Sequence, residues 1–112
     1  MNVHWTETAE QHLDAIYAYI VRDSRAYALR TVDRITRKSQ QIGAFPLSGR
    51  RVPEYEMDQI REVFVGPYRI IYHIKLNQID VIAVIHGAME VLRDTENDPS
   101  TSGIMNLTGE KK

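Results

Sequence analysis

Between Ile60 and His86 the chain holds three apolar runs, IREVFV, YRIIYHI and IDVIAVIH, separated only by Gly66-Pro67 and by a turn near Asn77-Gln78. Runs of this length, rich in Ile, Val and Tyr, are strands, and connections this short join them as antiparallel hairpins. If both turns have two residues, Val65 pairs with Tyr68 and Leu76 with Ile79. That register gathers Val63, Val65, Tyr68, Ile70, Tyr72, Ile74, Val81, Ala83 and Ile85 on one face, which needs a cover and buries Tyr72. The opposite face carries Ile60, Glu62, Phe64, Arg69, Ile71, His73, Ile82, Val84 and His86. It is half polar, and it sets Arg69 beside both Phe64 and His86.

The cover lies upstream. After NVHW, a short strand candidate, Thr8 with Gln11 three residues on offers a capping box. Leu13, Ile16, Tyr17 and Ile20 follow at helical spacing and predict a helix over about 7–21. Asp23 or Ser24 can cap a second helix with the stripe Leu29, Val32, Ile35 and Ile42, ended by Gly43 and Pro46. So short a link favours an antiparallel helix hairpin. The stretch FPLSGRRVPEYEMD then reads as a loop. The fold class is α+β, an N-terminal strand and a two-helix hairpin packed on one face of an antiparallel sheet.

A chain of 112 residues is long enough for one ordinary core, placed here in residues 1–92. Residues 93–112 are polar and punctuated by Pro99, Gly103 and Gly109, a tail expected to be mobile. The sequence has no cysteine, so neither disulfide nor thiol chemistry is available. No secretory leader and no run long enough to span a bilayer is visible, so a cytoplasmic protein without membrane contact is expected. The net charge of −1 conceals an asymmetry. Arg22, Arg25, Arg30, Arg34, Arg37, Lys38, Arg50 and Arg51 face only Asp23 and Asp33 in the same stretch, while Glu90, Asp94, Glu96 and Asp98 lie near the end. Such a middle suits an anionic partner or is a solvated helix face. Arg30, Arg34 and Lys38 share one side of the second helix.

Arg69 and His86 are the residues with chemistry to offer. A forked guanidinium suits phosphate, and imidazole can move a proton near neutral pH, so together they could grip and cut a phosphodiester. Alternatively Glu62, diagonal to Arg69, pairs with it as a structural ion pair. His73 and His86 lie too far apart to share a metal, and His4 and His12 have no partners at ligand spacing. With no Gly-rich loop, zinc motif or Ser-His-Asp pattern, no metal or cofactor is expected. Tyr17, Tyr68 and Tyr72 fall on apolar stripes; Trp5 and Tyr55 have no assigned place.

IREVFVGPYRIIYHI followed by IDVIAVIHGA, after two helices and an FP-x-x-G loop, resembles the RelE/ParE superfamily of type II toxin–antitoxin toxins, often labelled plasmid stabilisation proteins. The resemblance spans about Val3 to Leu92. It implies two helices on one face of a curved antiparallel sheet and a cognate antitoxin as partner. It also implies one of two targets, DNA gyrase or the ribosome with its mRNA. In the ribonuclease branch an arginine matching Arg69 binds phosphate, and some members use a late histidine that loosely matches His86. That branch also places basic residues where this chain has Ile60 and Glu62, and an arginine where it has Ala88 and Met89. It commonly adds a tail tyrosine absent here. These departures favour a ParE-like gyrase inhibitor over a RelE-like mRNA endoribonuclease, with a non-toxic binding module as a third reading. The resemblance and charge pattern imply Arg69, Arg61, Arg50 and Arg51 for target binding, and Arg30, Arg34, Lys38 and Phe64 for the antitoxin.

Overall fold

The computed structural model describes residues 1–87; the expected tail, with Ala88 and Met89, lies outside the described residues. The chain begins with strand β1 (Asn2–Trp5) and helices α1 (Glu7–Val21) and α2 (Arg25–Ala44). A single 3₁₀ turn at Pro46–Ser48 leads to strands β2 (Arg50–Arg51), β3 (Ile60–Val65), β4 (Tyr68–Ile74) and β5 (Gln78–His86). The helix expected over 7–21 is present, but its cap is Thr6 rather than Thr8. The Thr6 hydroxyl accepts from the Ala9 N–H at 3.1 Å and donates to the Val81 carbonyl at 3.0 Å, so the cap also clips α1 to β5. Ser24 caps α2 by accepting from the Tyr27 N–H.

Ile35 and Ile42 of the expected α2 stripe are buried, whereas Leu29 is half exposed; Ala28, Thr31 and Ser39 complete the buried side. Small side chains let α2 approach its neighbours closely. Gly43 does not end the helix, which continues through Ala44. It is glycine because a β-carbon there would lie 2.6 Å from the Met1 carbonyl oxygen.

The sheet has the order β1-β5-β4-β3-β2. Its last four strands are antiparallel neighbours, but β1 runs parallel to β5, so the sheet is mixed. No hairpin joins β1 to β5, and nothing local therefore dictated an antiparallel pairing. The β3–β4 register matches the sequence reading, with Val65 opposite Tyr68, Phe64 opposite Arg69 and Glu62 opposite Ile71. Gly66, at φ 55°, supplies the left-handed residue of that turn.

The β4–β5 register differs. Lys75 N–H donates to the Gln78 carbonyl, so the turn is Leu76-Asn77 and Ile74 faces Ile79. A bulge then inserts Ile82: Tyr72 pairs with Val81, but Ile71 pairs with Ala83. The early turn shifts the pairing by two residues and the bulge returns one. A net shift of one exchanges faces, and Ala83, Ile85 and His86 all end on the side opposite to that expected.

The helices cover Val63, Val65, Ile70, Tyr72, Ile79, Val81 and Val84, together with Ala9, Ile35 and Ile42. Tyr72 is buried as expected; its hydroxyl accepts from Gly49 N–H at 3.0 Å and donates to the Pro46 carbonyl at 2.7 Å, fixing the turn that feeds β2. The reverse face is closed as well. Val52 and Tyr55 of the loop after β2 pack over Ile60, Ile71, Ile82, Ala83 and Ile85. Tyr55 thus belongs to this second core, and Trp5 donates from Nε1 to Ser39 Oγ at 3.2 Å. Among the described residues no helix is long and apolar enough to cross a membrane.

Candidate functional site

Arg69 projects from the sheet face opposite the helices but is only 5% exposed. Its Nε donates to Glu62 Oε1 at 2.7 Å, and its Nη2 donates to the same oxygen at 2.6 Å and to Glu54 Oε1 at 3.2 Å. Burial alone lowers the guanidinium pKa; the hydrogen bonds and charges of Glu54 and Glu62 outweigh it, and the net shift is upward. The other oxygen of Glu62, whose side chain is fully buried, accepts from Arg50 Nε at 2.6 Å. A buried carboxylate bridging two guanidiniums is a structural ion-pair network. The pairing of Arg69 with Glu62 that the strand register suggested is present.

His86 is not beside Arg69. It pairs with Tyr68, while Arg69 pairs with Ile85, and the His86 and Tyr68 rings meet edge to face with centroids 5.8 Å apart on the helix side. The bulge at Ile82 thus separates the two halves of the expected phosphodiester-cutting pair. His73 is paired with Asp80, which Lys75 holds at 2.7 Å and Gln78 at 2.6 Å. Burial lowers the His73 pKa, helped by Lys75 and opposed by Asp80. Among the described residues no group of three or more His, Asp or Glu side chains is arranged to hold a metal.

The remaining arginines of the sheet are also engaged. Arg61 donates to the carbonyls of Asp58 and Gly49, and Arg51 pairs with Asp58 at 3.1 Å. Arg50, largely exposed, lies over the ring of Phe64 at 5.4 Å from its centroid. Phe64 keeps company with Arg50, while Arg30, Arg34 and Lys38 lie on α2.

Sequence reasoning missed three features. Glu54 as a second partner of Arg69 depends on a loop closing over the sheet. His12, read as isolated, accepts the Val84 N–H at Nδ1 over 3.1 Å, serving an edge of β5 that β1 does not reach. The third is an aromatic group where the helices turn: Tyr19 and Tyr27 are 69% and 45% exposed. Arg22 lies over the first ring and Arg30 over the second, at 5.8 and 5.9 Å.

Residues 3–91 match the family described as the ParE toxin of type II toxin–antitoxin systems, parDE. The chain belongs to the ParE toxin family. It is 33% identical over 87 residues to Y4kP of Sinorhizobium fredii (strain NBRC 101917 / NGR234), a protein named as a toxin, covering 76% of this chain and 86% of that one. A solved structure described as the chromosomal ParDE TA system from P. aeruginosa aligns with a TM-score of 0.65 at 25% identity, covering 77% of this chain and 95% of that one. The superfamily resemblance read from the strands is borne out, and within it the match falls on ParE.

Proposed function

We propose that this ParE-family toxin acts in the cytoplasm by binding DNA gyrase, without chemistry of its own, and that a protein antitoxin holds it inactive. The observation that carries this reading is the separation of Arg69 from His86. A ribonuclease needs an anion-binding group and a proton-transfer group around one phosphate. Here the arginine is committed to Glu62 and Glu54, and the histidine lies across the sheet. A binding toxin needs only a complementary surface. The side carrying Arg50 and Phe64, with Arg69 behind them, is the target-facing surface in this proposal; Arg51 and Arg61 alternate to the other face of the same sheet edge.

The test is induction of the toxin alone, followed by purified-gyrase supercoiling assays and mapping of ribosome-bound mRNA. Loss of supercoiling with intact mRNA is expected, and His86→Ala should leave growth arrest in place. Cleaved mRNA that disappears in the His86 variant would overturn the proposal in favour of a RelE-like endoribonuclease. Induction without any arrest would leave a non-toxic binding module on the same fold.

A further inference from the structure

Among the described residues the arginines fall into two populations. On the sheet, Arg50, Arg51, Arg61 and Arg69 are each held by a carboxylate or a carbonyl. On the helix hairpin, Arg37 pairs with Asp33, but among the described residues Arg22, Arg30 and Arg34 meet no carboxylate. Two of these lie on exposed tyrosine rings instead. Tyr19 is in the last turn of α1 and Tyr27 in the first turn of α2, so the three-residue link brings them to one end of the hairpin. Tyr68 opens β4 at the same end, close enough that Tyr27 and Tyr19 add to burial in raising its pKa. Arg34 reaches over the β3–β4 turn, with a guanidinium nitrogen 3.8 Å from where a β-carbon of Gly66 would sit.

We propose that this end of the hairpin, formed by Tyr19, Tyr27, Tyr68, Arg22, Arg30 and Arg34, is a docking surface for an acidic segment of the antitoxin, one that alternates carboxylates with apolar side chains. The inference rests on the reading of the chain as a toxin restrained by a protein. Tyrosine and arginine are the side chains that anchor protein interfaces, because each brings broad contact area and a polar end. A guanidinium stacked on a ring keeps its N–H edge outward, ready for a carboxylate fork, and loses little freedom on binding. Single-stranded nucleic acid is the competing occupant, and two observations disfavour it. Base stacking needs open ring faces in series. Here Tyr19 and Tyr27 each carry a guanidinium on one face, and Tyr68 is turned edge-on to His86. Nucleic-acid-binding domains also tend to a pI above about 9, whereas this chain has a pI of about 6.4.

The experiment titrates isotope-labelled toxin with a short peptide of alternating glutamate and leucine, and in parallel with an oligothymidylate of equal length, following chemical shifts. Peptide binding with the largest shifts at Tyr19, Tyr27 and Tyr68 is expected. The double variants Arg22→Ser with Arg30→Ser, and Tyr19→Leu with Tyr27→Leu, should each weaken it at least about tenfold, a loss typical of interface anchors. Tighter binding of the oligothymidylate at this patch would reassign the surface to nucleic acid. Peptide shifts elsewhere, or none, would overturn the proposal. Growth arrest by the uncomplexed toxin involves no peptide and tests the toxin reading separately. Binding at the patch by a chain that causes no arrest would remove the antitoxin as its occupant.

Discussion

A carboxylate cut off from water destabilises a fold unless both oxygens are engaged, and Glu62 meets that condition through Arg69 on one oxygen and Arg50 on the other. Removing one partner strands the rest. Glu62→Ala should cost about 3–5 kcal/mol and Arg69→Ala a comparable amount, read from urea midpoints. An Arg69 variant with an unchanged midpoint would show that Glu62 and Glu54 find other partners and that the network is dispensable to the fold. His12 makes a pH-dependent contribution. Burial holds its pKa down to about 4, from an ordinary 6.5. The folded protein therefore binds fewer protons than the unfolded chain, so this stability is complete above pH 6.5 and is lost as pH falls toward 4. The difference corresponds to about 3 kcal/mol. Protonation at Nδ1 also removes the acceptor for Val84 N–H. His73 shifts the same way, so the clean reading is the difference between wild type and His12→Phe. The variant should be less stable at pH 7 yet lose less between pH 6.5 and 4.5. Parallel curves would mean that His12 does not titrate in that window.

At the scale of elements, the parts read correctly from sequence were those where local chemistry and tertiary packing agree. The helix over 7–21, the cap at Ser24 and the Gly66-Pro67 turn were legible because Ser, Gly and Pro act within a few residues of themselves. The β3–β4 register followed from that turn, and with it the diagonal neighbourhood of Glu62 and Arg69. The β4–β5 register failed because Leu76-Asn77 lacks a glycine to mark the turn, and because a bulge at Ile82 leaves no trace in a run as uniform as VIAVI. One residue of slip was enough to dismantle the expected Arg69–His86 pair. The closed reverse face was hidden for another reason: Val52 and Tyr55 come from a loop whose path no periodicity reports. Gly43 supplies the test at this scale. A methyl group there must push the start of β1 off α2, so Gly43→Ala should destabilise by about 1–3 kcal/mol despite its better helix propensity. Amide exchange should quicken first in β1. A stabilised Gly43→Ala would mean that β1 yields at no cost.

Across the whole molecule, charge is spent differently on its two sides. The sheet face stabilises the fold through pairs, while α2 carries like charges at i, i+4 and i+8 in Arg30, Arg34 and Lys38, an arrangement that costs a helix about 0.2–0.5 kcal/mol per adjacent pair. A fold selected for stability alone would interleave glutamates there. Arg34→Glu removes two repulsions and creates two attractions along one helix face, with Arg30 before it and Lys38 after it. It should therefore raise the unfolding free energy by about 0.8–2 kcal/mol at low salt, an increase that fades as salt screens the face. The same change should slow association with the antitoxin and flatten the dependence of that rate on ionic strength, since steering by a cationic surface is what salt removes. Paired unfolding and stopped-flow measurements at several ionic strengths read both effects on one variant. A variant that is destabilised, with an unchanged association rate, would place Arg34 among the residues that hold α2 against its neighbours.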